Sequence, residues 1–358
     1  MRKSALLAAA LCLGLGGPTA CKKPFADARR GTAEHIDEDE KALVGRLQPA
    51  RDPTQEEIDT YRLGVRQAYN ARRFDELDTQ AAQARTSRAL FGNGSWKIVQ
   101  FYEALGCRDD EPESMWQLHD QIHQAWTAAR PESITARVAH ANFQTDYAWH
   151  ARGNGYADSV KEEGWKLFGE RLAAAQKILV EARRLPDKDP VWWRAALRVA
   201  LGAGIPRGDY DRLAAEAVAY EPKFWGYDTA RSYSLLPRWY GQAGDWEAYA
   251  DAAAKRPDGL GTEAYARIVI NLSGYYDNVF RETQASWLQT RDGLALMRKQ
   301  YPDSLEILSV SAKLATLAEN RELAKELFDQ LGDRYLPDVW RKPERFVHYR
   351  HWARTGRW

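Results

Sequence analysis

Gly208-Asp209-Tyr210 and Gly244-Asp245-Trp246 decide the fold of this 358-residue chain, because they are the same turn repeated about 36 residues apart. The small residues that follow each turn also repeat, with Ala214 and Ala217 matched by Ala250 and Ala253. A period of this length is typical of stacked helix-turn-helix units. Small residues let two paired helices approach closely, so the stretch predicts α-helical hairpins.

Prolines extend this period along the chain. They follow the predicted second helices at similar intervals, at Pro186, Pro222, Pro257, Pro302 and Pro337. Proline cannot continue a helix, so each one ends a helix and turns the chain into the next unit. This predicts two central hairpins. The first pairs a helix at Val191–Gly202 with one at Tyr210–Ala219, and the second pairs Asp228–Tyr240 with Trp246–Ala254. Alternation with a period of two is scarce, so we predict an all-α solenoid of stacked, tetratricopeptide-like hairpins.

The amino terminus has the features of a targeting segment. Arg2 and Lys3 precede an apolar run, Ala5–Gly17, which is too short to span a bilayer as a mature helix. Pro18-Thr19-Ala20-Cys21 resembles the cleavage box of bacterial lipoproteins, which implies lipidation of Cys21. Lys22 resembles the sorting signal for the outer membrane. We expect a periplasmic lipoprotein anchored to the membrane only by its lipid, with plain secretion as the alternative.

We divide the chain into four parts from its composition. Residues 22 to 53 are charged and aperiodic, which favours a solvated tether. The parts are a signal peptide (1–20), a disordered tether (21–53), a helical-repeat domain (54–340) and a basic aromatic tail (341–358).

Charge and cysteine content exclude some classes of function. The chain has 51 basic and 50 acidic residues and no concentrated basic stripe, so we expect no nucleic-acid partner. Cys12 leaves with the signal and Cys21 carries the lipid, so Cys107 remains alone. No internal disulfide is then available, and we interpret Cys107 as structurally inert.

Three motifs along the chain resemble a known family. They are Gly94-Ser95-Trp96-Lys97, then Ala148-Trp149-His150-Ala151-Arg152-Gly153 followed by Gly155-Tyr156-Ala157, and Leu235-Leu236-Pro237-Arg238-Trp239-Tyr240-Gly241. Over about residues 55 to 275 the chain resembles bacterial proteins of Domain of Unknown Function 4034. The resemblance implies no activity and no catalytic residue.

Catalytic and metal-binding patterns are incomplete. His119 and His123 share a helical face at a spacing that zinc sites use, but no third ligand is evident. Glu113-Ser114 and Glu132-Ser133 match the catalytic dipeptide of lytic transglycosylases, without the segment that shapes that active site. We interpret both as residues at helix amino termini. We therefore predict no enzyme, no cofactor and no metal.

Aromatic residues concentrated around the central hairpins remain unexplained by these patterns. Adjacent residues on a helix cannot both face inward, so one of Trp192/Trp193 and one of Trp239/Tyr240 are candidates for an exposed binding surface. The alternative is that they fill gaps between hairpins. The candidate partner-binding or ligand-binding residues are Trp192, Trp193, Arg194, Arg198, Trp225, Arg238, Trp239 and Tyr240.

These observations predict a protein-binding scaffold of the cell envelope that uses the groove of a solenoid. The alternative is a module that binds a glycan strand or a small ligand on tryptophan platforms. A peptidoglycan hydrolase or lyase is a third interpretation, and it lacks a convergent acid and base in the sequence.

Overall fold

A computed structural model describes residues 38–153 and 160–358. The predicted signal peptide, Cys21 and the tether before residue 38 lie outside the described residues, as does Gly155-Tyr156-Ala157. Within the described ranges the protein is all-helical, apart from two short strands, β1 (Gln48–Pro49) and β2 (Arg334–Tyr335). None of the described helices is both long enough and apolar enough to cross a membrane.

The helices follow one another with short connections. They are α1 Glu38–Val44, α2 Pro53–Asn70, α3 Phe74–Ser87, α4 Lys97–Glu103, α5 Glu113–Ala129, α6 Ile134–Arg152, α7 Glu162–Ala182, α8 Pro190–Gly202, α9 Arg207–Tyr220, α10 Trp225–Ser234, α11 Asp245–Ala254, α12 Thr262–Leu272, α13 Val279–Glu282, α14 Trp287–Gln300, α15 Leu305–Leu317, α16 Arg321–Leu331, α17 Pro337–Trp340 and α18 Pro343–Thr355.

The repeated residues that predicted the hairpins are interior residues. Tyr210 and Trp246 are each about 1% exposed, and the four repeated alanines are buried beside them. Helix α10 contacts α8 and α9 on one side and α11 and α12 on the other. The small repeated positions therefore lie where neighbouring helices meet.

The predicted boundaries hold where a stop signal is present. Helices α7, α9, α11 and α14 each end within four residues before a proline of the ladder. Helix α10 was predicted to reach Tyr240, but it ends at Ser234, because Pro237 cannot continue it. Helix α6 begins at Ile134 rather than Pro131, because the Ser133 hydroxyl accepts a hydrogen bond from the Ala136 amide.

The tether prediction extends too far toward the carboxyl terminus. Helix α1 packs against α18, and β1 pairs in parallel with β2, with the Ala50 amide donating to the Tyr335 carbonyl over 2.7 Å. The predicted tail is also part of the folded body, since Phe346 and Trp352 of α18 are buried in one core with α15 and α16. Aliphatic residues near the amino-terminal boundary and aromatic residues of the tail therefore complete one apolar core.

Asp52 links the start of α2 to the start of α15. One carboxylate oxygen accepts from the Thr54 amide at the start of α2 over 2.8 Å. The other accepts from the Ser304 hydroxyl over 3.2 Å and from the Glu306 amide over 2.6 Å, at the start of α15. A single side chain therefore caps two helices that are far apart in sequence.

The segment 91–95, which we call the docked loop, inserts between the amino-terminal helices and the repeats. The Trp225 indole donates to the Gly94 carbonyl over 3.0 Å, and Arg267 donates to the Asn93 carbonyl over 3.3 Å. Gly94 has a φ of 78°, and a Cβ atom there would lie 2.7 Å from Tyr301 Cζ. Only glycine fits this position.

Candidate functional site

The eight candidate residues do not form one surface. Trp192, Trp193, Arg194 and Arg198 lie on α8, whereas Arg238, Trp239 and Tyr240 lie in the connection between α10 and α11. Trp225 begins α10 and contacts the docked loop. Each group has its own neighbours, so each is described in turn.

Trp192 is an interior residue. Its side chain is 4% exposed, and its indole N–H donates to the Leu179 carbonyl over 2.9 Å. Trp193 is half-buried and meets Trp192 edge-on, with ring centroids 4.7 Å apart. The expectation of a binding platform is wrong for Trp192, because its ring fills the gap between α7 and α8.

Trp225 also makes structural contacts within the protein. Its indole N–H is bonded to the docked loop, and the Arg267 guanidinium lies 4.9 Å from its ring centroid. Arg267 in turn pairs with the buried carboxylate of Glu263 over 2.7 Å. Trp225 therefore holds the docked loop against α12, and its indole N–H is not free for a ligand.

Arg194 and Arg198 form ion pairs across helices. Arg194 pairs with Glu103 of α4 over 3.0 Å, and Arg198 pairs with Asp146 of α6 over 2.6 Å. Burial raises the pKa of Glu103, but Arg194 and Arg198 outweigh burial and hold this pKa below its ordinary value. The proximity of Asp146 raises the pKa of Arg198. These four side chains satisfy one another and stay charged.

Arg238 is the exposed member of the candidate set. Its guanidinium lies 4.6 Å from the Tyr275 ring centroid and 5.0 Å from that of Tyr233, and it donates to the Tyr233 hydroxyl over 2.6 Å. Tyr275 is 38% exposed. Trp239 packs against Tyr233 with centroids 6.0 Å apart. We call Tyr233, Arg238, Trp239 and Tyr275 the Arg238 patch.

Neither Trp239 nor Tyr240 is exposed. Trp239 is half-buried and also meets Trp149 edge-on, with centroids 6.4 Å apart. Tyr240 is half-buried against Tyr210, with centroids 5.5 Å apart, and burial raises the pKa of its hydroxyl. The expectation that one of the two is exposed is therefore wrong, because the chain leaves helical geometry after Ser234 and both rings fold back onto the repeats.

The Arg238 patch contains two residues that sequence reasoning missed. Tyr233 is five residues before Arg238, whereas Tyr275 comes from the 3₁₀ turn after α12. A tyrosine before a Pro-Arg-Trp-Tyr segment was a usable signal for Tyr233. No sequence signal points to Tyr275, since it reaches Arg238 only through the packing of α10 on α12.

The candidate catalytic and metal residues do not converge. His123 is wholly buried, and His119 is 6% exposed. In the described ranges no three histidine, cysteine, aspartate or glutamate side chains are grouped to hold a metal. Glu113 accepts hydrogen bonds from the Tyr147 hydroxyl and from Arg171, while Glu132 lies at the surface.

A family model, Domain of unknown function (DUF4034), matches residues 62–199. This segment is therefore similar to the domain that defines that family. The match is shorter than the resemblance over residues 55 to 275, and it runs from α2 into α8. No curated protein and no solved structure matches the chain.

The matched segment contains the four paired charges of Glu103, Asp146, Arg194 and Arg198. The Arg238 patch lies beyond its carboxyl end. The two sets of candidate residues therefore belong to different parts of the chain.

Proposed function

We propose that this protein is a non-enzymatic scaffold of the cell envelope that binds another protein through the Arg238 patch. One observation carries the proposal: an exposed arginine lies against two neighbouring tyrosine rings beside a half-buried tryptophan, in the connection between two repeat helices. Arginine, tyrosine and tryptophan are the residue types that dominate binding energy at protein interfaces.

The scaffold is an array of tetratricopeptide-like hairpins in this proposal. The pairs α8/α9, α10/α11 and α15/α16 are the hairpin units, and the contacts of α10 with α8 and α9 support stacking of the first two pairs. Solenoids of this kind usually bind on an inner face. Here the docked loop contacts α10 and α12, so we assign binding to the connection that carries Arg238.

The partner in this proposal is a protein segment with a carboxylate next to an apolar or aromatic side chain. The Arg238 guanidinium would pair with the carboxylate, while Tyr275 and Trp239 would contact the apolar group. Arg238 forms no ion pair with any described residue, so a partner carboxylate would displace no internal one. The proposal includes no nucleic acid and no cofactor.

The amino-terminal sequence features favour a periplasmic location for this scaffold, with lipid on Cys21 as its only membrane anchor. Lys22 favours the outer membrane, and secretion without the lipid is the alternative. Tethering near a membrane would raise the effective concentration of the scaffold for membrane-bound partners.

The test is crosslinking in cells, followed by capture and identification of the partner. Three forms are compared with the wild type: Arg238→Ala with Tyr275→Ala, Cys21→Ser, and Arg291→Ala as a matched control on exposed α14. We expect the double variant to capture at least tenfold less of the same envelope protein, and the α14 control to capture the wild-type amount. Equal capture by the double variant and the wild type would overturn this role of the patch.

A glycan-binding module is the second candidate, because Trp239 gives the patch an aromatic face. Titration of tryptophan fluorescence with peptidoglycan fragments tests it. Saturable quenching that is lost in Trp239→Ala favours the glycan, whereas unchanged fluorescence favours the protein partner. Release of muropeptides by the purified protein would instead favour a hydrolase or lyase.

A further inference from the structure

A cleft opens between α3, the start of α6 and the connection from α7 to α8. Its volume is about 540 Å³, which lies within the range of roughly 300–1,000 Å³ that pockets for small ligands occupy. We call it the α3–α6 cleft and define it by Asp78, Arg85, Ser133, Ile134, Thr135 and Asp187, which line it. It lies inside the matched segment, residues 62–199, and shares no residue with the Arg238 patch.

Arg85 presents a fixed guanidinium to the cleft. Its Nη1 donates to the Asp189 carboxylate over 2.9 Å and to the Thr135 hydroxyl over 3.2 Å. Both acceptors are buried, so they hold the guanidinium in one orientation. Nε and Nη2 have no acceptor among residues 38–153 and 160–358, although the side chain is only 15% exposed. Neither atom is sealed from solvent, so both can donate to a molecule in the cleft.

Asp78 supplies the opposite charge, seven residues earlier on the same face of α3. Its carboxylate accepts from the Ser133 hydroxyl over 2.5 Å, and it forms no ion pair with any residue that the structure describes. The side chain is half-buried, and burial raises the pKa of the carboxyl above its ordinary value. A cation in the cleft would compensate for the lost solvation, because an opposite charge favours the ionised form.

The two charged groups lie close enough together for one small molecule to reach both. Asp78 is bonded to Ser133 and Arg85 to Thr135, and these two partners are only two positions apart at the start of α6. An extended peptide advances about 3.3–3.6 Å per residue, so two or three residues span such a separation. The ends of a short peptide carry the required charges, since a carboxylate suits a guanidinium and an ammonium suits a carboxylate.

We propose that the α3–α6 cleft binds a peptide of two or three residues with free ends, its carboxylate on Arg85 and its ammonium on Asp78. The buried side chain of Ile134 provides an apolar contact between these two groups. The inference does not depend on the scaffold proposal, because no residue of the Arg238 patch takes part.

The rim of the cleft favours a basic side chain on the peptide. Glu132 and Asp187 are exposed there and form no ion pair with any residue in the described ranges. The rim cation Arg130 is already paired with Asp75. The unpaired charge at the rim is therefore negative, and a lysine side chain would approach it favourably.

Calorimetric titration of the purified protein with lysyl-alanine and lysyl-alanyl-alanine tests the site. Each peptide is compared with its acetylated form, which lacks the terminal ammonium, and with its amide, which lacks the carboxylate. We expect saturable binding of at least one free peptide and at least tenfold weaker binding of both modified forms. The proposal is overturned if neither free peptide binds at millimolar concentration, if the modified forms bind equally well, or if free lysine binds as tightly.

Two conservative variants assign the ends of the peptide. Asp78→Asn removes the charge but keeps an acceptor for Ser133, and Arg85→Lys keeps a cation beside Asp189. We expect each to bind the free peptides at least tenfold more weakly, whereas Asp59→Asn, an exposed carboxylate of α2, should bind as the wild type does. Wild-type affinity in Asp78→Asn would contradict the site.

Combining variants with modified peptides separates direct contact from a loss of folding. In Asp78→Asn, acetylation should cause no further loss of affinity, while conversion to the amide should still weaken binding. Arg85→Lys should show the reverse. Thermal unfolding followed by circular dichroism checks that each variant is folded, and if Arg85→Lys is not, Asp78→Asn with the modified peptides decides alone. A full additional loss on acetylation in Asp78→Asn would refute contact between this carboxylate and the ammonium.

Discussion

The repeat hairpins and the docked loop are held by different kinds of contact. In the hairpins, partners are close in sequence, as in the exposed pair of Asp209 with Arg212. In the docked loop, the Gly94 carbonyl, the Asn93 carbonyl and the Asn93 side-chain amide bind residues that are 131, 174 and 213 positions away, respectively. The hairpins are therefore stabilised by a repeated pattern of small and aromatic residues, whereas the docked loop is held by individual hydrogen bonds. We expect substitutions in the two regions to differ accordingly.

Substitution of Asp189 should lower the free energy of unfolding the most, because its buried carboxylate makes several non-local contacts. It accepts from Arg85 over 2.9 Å and from the Tyr102 hydroxyl over 2.7 Å, and it also caps α8 through the Val191 amide. Asp189→Ala removes the counter-charge of Arg85 and the acceptor of the Tyr102 hydroxyl, so we expect about 4 kcal/mol lower free energy of unfolding in urea melts. Asp110→Ala, in an exposed pair, is the control. A loss for Asp189→Ala as small as the control's would show that the non-local contacts are dispensable.

Gly94→Ala breaks the docked loop itself. The added methyl group would collide with Arg267 and Tyr301, and the φ of 78° is unfavourable for alanine. We expect a loss of roughly 3 kcal/mol in thermal or urea unfolding. The matched control is Gly204→Ala in the α8–α9 turn, where φ is also positive but no atom lies within 4 Å. That control should lose only about 1 kcal/mol, and equal losses would refute the collision.

Acid should weaken the contact between α2 and α5, which is also non-local. Burial, followed by the nearby Arg66, lowers the pKa of His119 to about 4, and burial lowers that of His123 as well. The unfolded chain has a histidine pKa near 6.5, so it binds more protons than the fold between those values. Stability is therefore complete above about pH 6.5 and falls as the pH decreases toward 4.

For His119 this amounts to about 2 kcal/mol between pH 7 and pH 5. Urea melts at both pH values measure it, and His119→Phe should reduce the difference by that amount. His351→Phe, half-buried on α18, is the comparison variant. If His119→Phe retained the wild-type pH dependence, the acid sensitivity would have another source.

Arg212→Ala gives the smallest effect and tests the tolerance of the hairpins. Arg212 pairs with Asp209 at the surface of α9, where water screens the interaction. We expect a change within about 0.5 kcal/mol in the free energy of unfolding. A larger loss would mean that the hairpins also depend on individual contacts.

Sequence reasoning was most reliable where a residue type has a local consequence. Prolines and Gly244-Asp245 located helix ends, and Tyr210 and Trp246 were recognised as hairpin residues by their repetition. Gly208-Asp209 was wrongly predicted as a turn, because α9 begins at Arg207, directly after Pro206. Sequence reasoning was least reliable for exposure. Trp192 and Trp193 are adjacent, and only the packing of α7 on α8 decided which ring is buried.

The sequence by itself determined the helical class and most helix ends, because proline, glycine and helical periodicity act within one or two turns of the chain. The tertiary structure alone decided that Asp52 caps α15, that the docked loop meets Arg267, and that Tyr275 gains its cationic neighbour. These contacts join positions tens to hundreds of residues apart. No local preference encodes them, so they depend on how all the helices pack together.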